Sequence, residues 1–290
     1  VVANTNDAPT VTSTAVTSAT EDSAYTYTVT ASDVDVGDTL TMTGTTVPSW
    51  LTFTAATGVL SGTPLNANVG DNSVVITVGD GTTTVTDTFT ITVANTNDAP
   101  TITSTAVTAA TEDAAYTYTS TAADVDTGDT LTAAGTTVPS WLTFTASTGV
   151  LSGTPTNAEV GSHSVVITFS DGTASVTDSF SITVANTNDA PTLANPISDA
   201  SVAEDAAYSL DASAMCADVD VGDTMAYSLG GAPSTLTVTS GVISGTPLNA
   251  DVGTHTITVT CTDGAGATAS DSYVLTVTNT NDAPTISSTA

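Results

Sequence analysis

The chain has 290 residues, no lysine or arginine, and 30 aspartates and glutamates, for a formal charge of −30. That balance excludes nucleic acid as a partner, because phosphate contacts need basic side chains, and it argues against attraction to an anionic membrane surface. A hydrophobic content of 40% sets the chain apart from disordered acidic sequences, and no apolar run reaches the roughly 18 residues of a membrane-spanning helix.

The first element is a heptapeptide, Asn4-Thr5-Asn6-Asp7-Ala8-Pro9-Thr10. It returns at Asn95, Asn186 and Asn279, at spacings of 91, 91 and 93 residues. A fixed period this long marks a tandem array of whole domains, each large enough to bury its own core. The expected units are 8–98, 99–189 and 190–282. Residues 1–7 then close a preceding unit and 283–290 open a following one. The chain is expected to be a window from a longer array, with any export signal outside it.

Unit 1 sets the pattern. An acidic turn at Glu21-Asp22 follows the first strand. From Tyr25 to Ala31, apolar residues alternate with threonine. The turn Asp33-Val34-Asp35-Val36-Gly37-Asp38 follows, then Thr57-Gly58 and Ser61-Gly62-Thr63-Pro64. Val74, Ile76 and Val78 alternate with Val75 and Thr77 up to a turn at Gly79-Asp80-Gly81, and Phe89, Ile91 and Val93 alternate with threonines. Period-two alternation of β-branched residues between turn signals predicts half-buried strands, and no segment has a helical period. About seven strands per unit predict an all-β chain of three tandem antiparallel sandwiches of immunoglobulin-like type, arranged as a linear rod.

Strand direction then places the acids. If odd-numbered strands descend and even-numbered ones climb, Glu21, Asn66 and Asn68 lie at the bottom of unit 1, and Asp33, Asp35, Asp38 and Asp80 at its top. Each heptapeptide is therefore met by one unit's lower acids and the next unit's upper acids. The first joint gathers Glu21, Asn95, Asn97 and Asp98 against Asp124, Asp126 and Asp171. The second gathers Glu112, Asn186, Asn188 and Asp189 against Asp218, Asp220 and Asp263. At the N-terminus, Asn4, Asn6 and Asp7 face Asp33, Asp35 and Asp80. At the C-terminus, Glu204, Asn279, Asn281 and Asp282 lack a partner unit.

Carboxylates and amide carbonyls without histidine or cysteine suit Ca²⁺, and Mg²⁺ less well. Asp and Asn also favour turns on their own account, so any one of these residues could be a turn former on a solvated loop. The heptapeptide resembles the cadherin linker Asp-x-Asn-Asp-Asn-Ala-Pro, and Glu21 with Asp124-x-Asp126 resembles other cadherin calcium motifs. The set Asp-x-Asp-x-Gly-Asp, Pro-Ser-Trp-Leu-Thr-Phe, Ala-x-Thr-Gly-Val-Leu-Ser-Gly-Thr-Pro and Asn-Ala-x-Val-Gly resembles the dystroglycan-type cadherin-like repeat of bacterial surface proteins, over nearly the whole chain. The resemblance implies secretion, calcium binding and a spacer or adhesion role; some relatives are attached to polysaccharide-degrading enzymes and implicated in carbohydrate binding. Two departures imply fewer or weaker ions per joint. Asparagine replaces the first linker aspartate, and the Asp-Arg-Glu motif is absent, with only Asn66/Asn68, Asn157/Glu159 and Asn249/Asp251 nearby.

Other residues have competing readings. Cys216 and Cys261 fall on inward positions of the second and sixth strands of unit 3, where immunoglobulin domains place their inter-sheet disulfide. A bond there contributes about 3–4 kcal/mol and fits an oxidising compartment; the alternative is two buried thiols. Trp50 and Trp141 are either core residues or sugar-stacking platforms. His163 and His255 stand before the sixth strand where unit 1 has Asn72, so a hydrogen-bonding role outweighs zinc. Asp87, Asp178 and Asp271 share the apolar parity of the last strand. They need partners, either backbone groups near the upper loops or a supporting place behind the metal, unless a bulge turns them outward. Catalysis has little support: nucleophile, base and orienter are needed together, there is no lysine or arginine and no histidine in unit 1, and the carboxylate pairs sit in turns repeated in every unit, as active sites rarely are. No Asn-x-Ser/Thr acceptor occurs. The expected function is a calcium-rigidified extracellular spacer array of a large adhesin or surface filament, with neighbouring repeats as partners. The alternatives are a carbohydrate-binding array for surface glycans, or a self-assembling filament subunit whose partners are other copies of the chain.

Overall fold

The computed structural model describes residues 5–285; Asn4 lies outside the described residues. Unit 1 contains β1 (Thr10–Val11), β2 (Ser18–Thr20), β3 (Tyr25–Thr28), β4 (Ala31–Ser32), β5 (Thr41–Thr46), β6 (Leu51–Thr54), β7 (Val59–Gly62), β8 (Gly70–Gly79) and β9 (Thr84–Ala94). Unit 2 repeats the series as β10 (Thr101–Ile102), β11 (Ala109–Thr111), β12 (Tyr116–Thr119), β13 (Ala122–Ala123), β14 (Thr132–Thr137), β15 (Leu142–Thr145), β16 (Val150–Gly153), β17 (Gly161–Ser170) and β18 (Ser175–Ala185). In unit 3 it runs β19 (Thr192–Leu193), β20 (Ala200–Ala203), β21 (Tyr208–Asp211), β22 (Cys216–Ala217), β23 (Ala226–Gly230), β24 (Leu236–Thr239), β25 (Val242–Gly245), β26 (Gly253–Thr262) and β27 (Thr268–Thr278). The only helical elements among the described residues are three short 3₁₀ turns, at 66–68, 157–159 and 249–251.

Each unit is a sandwich of a four-stranded sheet, β2-β9-β8-β5 in unit 1, and a three-stranded sheet, β3-β7-β6. The inward residues of β8, Val74, Ile76 and Val78, are fully buried with Leu60 and Ile91, as their alternation predicts. Where seven strands are expected, each unit has nine, because the first two strands break. β1 pairs antiparallel with β4 in a separate two-stranded ladder, while β2 pairs parallel with β9 in the four-stranded sheet. These pairings agree with odd strands descending and even strands climbing.

Cys216 and Cys261 form a disulfide across the core of unit 3, with Cα atoms 6.6 Å apart. In unit 1, Trp50 is half-buried, packs edge-on against Tyr25 at 5.7 Å and donates its indole N–H to Asn72 Oδ1 at 3.0 Å. Asn72, His163 and His255 lie inside β8, β17 and β26, two residues past their starts, not before them. All three contact the carbonyl oxygen four residues back, at 2.6–2.8 Å. The inward aspartates are paired without a bulge in β9 or β18. Tyr27 donates to Asp87, Tyr118 and Ser120 donate to Asp178, and Asp271 accepts from the Ile197 amide.

Candidate metal centre

Three loop types build each joint. The turn between β2 and β3 sets Glu21 just before Asp22, whose φ of 58° is a left-handed conformation that aspartate tolerates. Asp113 and Asp205 repeat this at 57° and 62°. The turn anchors Glu21 under the linker, where its carboxylate accepts from the Thr96 amide at 3.2 Å. The loop after β4, or after β13 in unit 2, carries the Asp-x-Asp pair, in which Asp124 Oδ1 accepts from the Asp126 amide at 2.9 Å. The loop between β17 and β18 carries Asp171, which closes a tight turn by accepting from the Thr173 and Ala174 amides, both at 2.6 Å.

At the first joint these groups converge. Carboxylate oxygens of Glu21, Asp98 and Asp126, drawn from unit 1, the linker and unit 2, lie within 4.8 Å of one another. The Asp98 amide donates to Asp126 Oδ2 at 2.7 Å, and Asn97 donates to Asp171 at 3.1 Å. Asn66 reaches across from unit 1 to Asp126 Oδ1 at 2.7 Å. A second triad, Asp124, Asp126 and Asp129, lies on the unit 2 side.

The second joint repeats the plan with one variation. The Asp189 amide and both Asn157 and Asn186 donate to Asp220, and Asn188 donates to Asp263 at 2.9 Å. Here the triad is Glu112, Asp113 and Asp189, and Asp218 clusters with Asp223 and Asp263. At the N-terminal end, Asn6 donates to Asp80 at 3.1 Å, the Asp7 amide donates to Asp35 at 2.7 Å, and Asp33, Asp35 and Asp38 cluster. At the C-terminal end, Glu204 accepts from Thr280, Asn249 donates to Asp282, and Asn281 bonds the Asp282 carbonyl. Asn279 is exposed. Asn95 is exposed too, on the wall of an open cavity with Asn66, Val69 and Thr127, whereas its counterpart Asn186 turns onto Asp220.

Three stretches of the sequence, residues 8–94, 99–185 and 190–278, match the family described as "Putative Ig domain" (He_PIG). The chain belongs to this Ig-domain family. No curated protein matches it. Among solved structures, protocadherin Gamma B2 extracellular domains 1–5 share 19% identity over 94% of this chain and 60% of that one, with a TM-score of 0.64. Mouse cadherin-23 EC22–24 shares 17% identity over 95% of this chain and 100% of that one, at 0.56. These likenesses establish a cadherin-like sandwich fold. The endo-fucoidan hydrolase MfFcnA4 of glycoside hydrolase family 107 shares 26% identity over 91% of this chain at a TM-score of 0.32; the chain spans 43% of that protein's length.

In each Ig unit one glutamate below the joint is buried, and no lysine or arginine faces it. Glu21, Glu112 and Glu204 are only 2–3% exposed. Four buried carboxylate oxygens have no hydrogen-bond partner: Asp33 Oδ2, Asp124 Oδ2, Asp218 Oδ2 and Glu204 Oε2. The first three are the same atom in successive units. A buried carboxylate oxygen without donor or cation is costly, and the chain has no lysine or arginine to supply one. Desolvation, followed by the charges of Asp126, Asp124 and Asp171, raises the pKa of Asp129. Asp38 is raised in the same way beside Asp33, Asp35 and Asp80, and Asp189 beside Asp113, Asp220 and Asp218. Asp80 and Asp171 move the other way, because backbone N–H groups hold their ionised forms. The donor set is oxygen only, partly buried and electrostatically unbalanced, which fits a hard divalent cation.

Sequence reasoning left out Asp113, Asp129 and Asp223 as cluster members, and Asn66 and Asn157 as groups that cross the joint. The last acid of Asp-x-Asp-x-Gly-Asp and the first residue of Asn-Ala-x-Val-Gly are the signals that mark most of them.

Proposed function

We propose that this chain is a calcium-rigidified extracellular spacer, part of a large adhesin or surface filament, and that it has no catalytic role. Its tandem Ig-like units are structural repeats. The observation that carries the calcium reading is the recurrence of a partnerless buried oxygen on Asp33, Asp124 and Asp218, inside carboxylate clusters at the upper end of successive units. Calcium, when bound, supplies positive charge and accepts six to eight oxygens without strict geometry. Glu21, Asp98, Asp124 and Asp126 would hold it at the first joint, and Glu112, Asp189, Asp218 and Asp220 at the second.

These residues come from two units and the linker between them, so holding them together fixes one unit against the next. Without a cation, their mutual repulsion works against closure of the joint. The disulfide of unit 3 supports an oxidising, extracellular setting. No helix among the described residues is long and apolar enough to cross a membrane. The carbohydrate reading has less support: Trp50 and Trp141 are half-buried and each makes an edge-to-face contact, with Tyr25 and Tyr116 respectively.

Small-angle scattering tests the proposal. Adding calcium to the chelated chain is expected to raise its maximum dimension and reduce its flexibility, and chelator should reverse both. Asp126→Ala removes a group that receives bonds from both Asn66 and Asp98, so it should abolish stiffening at the first joint and leave the second intact. Identical scattering with calcium and with chelator would sink the reading.

A further inference from the structure

The charge of the chain is unevenly placed. No charged residue lies within 39–70, 130–158 or 224–250. In unit 1 the acids sit at the two ends, apart from Asp87, which is turned inward onto Tyr27. Strand β8 spans ten residues, so the end clusters lie about 30 Å apart. That is several screening lengths at physiological salt, where each is about 8 Å. The middle of each flank lies about 15 Å from either cluster, roughly two screening lengths, so the field of the acids is weakest there.

The uncharged segments form one flank of each sandwich. Strand β5 is the outer strand of the four-stranded sheet and β6 the outer strand of the three-stranded sheet. The two adjoin, since Gly44 of β5 packs against Phe53 of β6, and Gly135 of β14 against Phe144 of β15. Among the described residues no strand pairs with the outer side of β5, β14 or β23. Natural edge strands are usually guarded by lysine, proline or inward charge; these three carry none. A β-bulge interrupts β5 after Gly44 and β14 after Gly135, leaving Thr41–Gly44 and Thr132–Gly135 regular, whereas Ala226–Gly230 of β23 runs unbroken.

We propose that two copies of the chain associate side by side through this flank, the free edge of β5, β14 or β23 in one pairing with the same edge in the other. Charge selects the occupant. Two copies of a −30 chain repel most where their end clusters meet, and this uncharged flank is where identical surfaces approach with least repulsion, the remainder being what salt screens. An edge that meets its own copy about a two-fold axis pairs antiparallel, so backbone N–H and C=O groups satisfy each other with no side-chain complementarity required. The proposal does not rest on cation binding, because salt alone can screen the ends.

Sedimentation equilibrium of the full chain in EDTA tests it. A monomer–dimer equilibrium that strengthens between ~0.1 M and ~1 M NaCl is expected, as screening removes end-to-end repulsion. The triple variant Thr43→Asp, Ala134→Asp, Ser228→Asp puts one exposed charge in the middle of each free edge and should weaken the dimer by roughly tenfold or more, since like charges opposed across a strand pair destabilise it. The triple variant Thr86→Asp, Thr177→Asp, Ser270→Asp adds the same charge in the same cross-strand ranks, but on β9, β18 and β27, about 9–10 Å further from the edge. It should leave the dimer constant within about threefold. Amide hydrogen exchange on the unmodified chain gives a second reading: β5, β14 or β23 amides should slow as concentration rises. A chain that stays monomeric in ~1 M NaCl, variants that weaken association equally, or edge amides indifferent to concentration would each overturn the proposal.

Discussion

One position shows how a residue's surroundings decide what can replace it. Asn72, His163 and His255 align, and each reaches a carbonyl of the preceding 3₁₀ turn. Asn72 also accepts from the Trp50 indole, so its amide bridges turn and core. In unit 2 the His163 ring instead packs edge-on against Trp141 at 5.9 Å, and the Trp141 indole nitrogen is buried without a partner. The sequence made the equivalence of asparagine and histidine visible. It did not reveal the Trp50 bond, which joins residues brought together only by the sandwich. Asn72→Ala should therefore strand both the indole N–H and the turn carbonyl. The expected cost is about 1–3 kcal/mol, read as a lower unfolding midpoint for unit 1, with units 2 and 3 unmoved.

At the scale of elements, strand positions were legible and strand ends were not. Alternation along Tyr25–Thr28, Gly70–Gly79 and Thr84–Ala94 is enforced by one buried face, so it is written locally. The jump of β2 to a parallel pairing with β9 depends on a strand about 70 residues away and leaves no local mark. The joint was half legible for the same reason. Acids in turns announce themselves, but Asn66 meets Asp126 only when two units stack.

Two predictions belong to elements. The disulfide ties β22 to β26 across a loop of 45 residues in unit 3 alone. Reduction should remove about 4 kcal/mol from that unit, seen in calorimetry as one transition moving down while the others stay. In β3 and β12, burial and neighbouring groups push the hydroxyls of Tyr25 and Tyr116 up to about 12. In the unfolded chain they ionise near the ordinary value of about 10. Between those values the folded state holds protons that the unfolded state has lost, so stability is full below about pH 10 and falls as pH rises toward 12. With no lysine or arginine and both cysteines bonded, tyrosine is the side chain that titrates in this window. Absorbance at the tyrosinate band and loss of sheet signal should therefore rise together; an ionisation complete near pH 10 with the fold intact would contradict the burial.

For the whole molecule, the question is how a chain with 30 acids and no lysine or arginine holds its units together. Two effects of added cations can be separated. Screening acts on all exposed carboxylates, grows with ionic strength whatever the ion, and leaves buried groups almost untouched. A bound divalent cation would instead offset the partnerless oxygens of Asp33, Asp124 and Asp218, which screening reaches poorly. Site binding adds RT ln(1 + [L]/Kd) to stability, so it continues to grow with calcium when ionic strength is fixed. In calorimetry, sodium chloride up to ~1 M should raise the unfolding temperature modestly and then level off. Calcium at ~1–10 mM, a range suited to extracellular sites, should exceed that plateau at far lower ionic strength. Asp124→Ala and Asp218→Ala should remove most of the calcium increment while keeping the sodium response. Equal increments from the two salts at equal ionic strength would reduce the joints to solvated acidic turns.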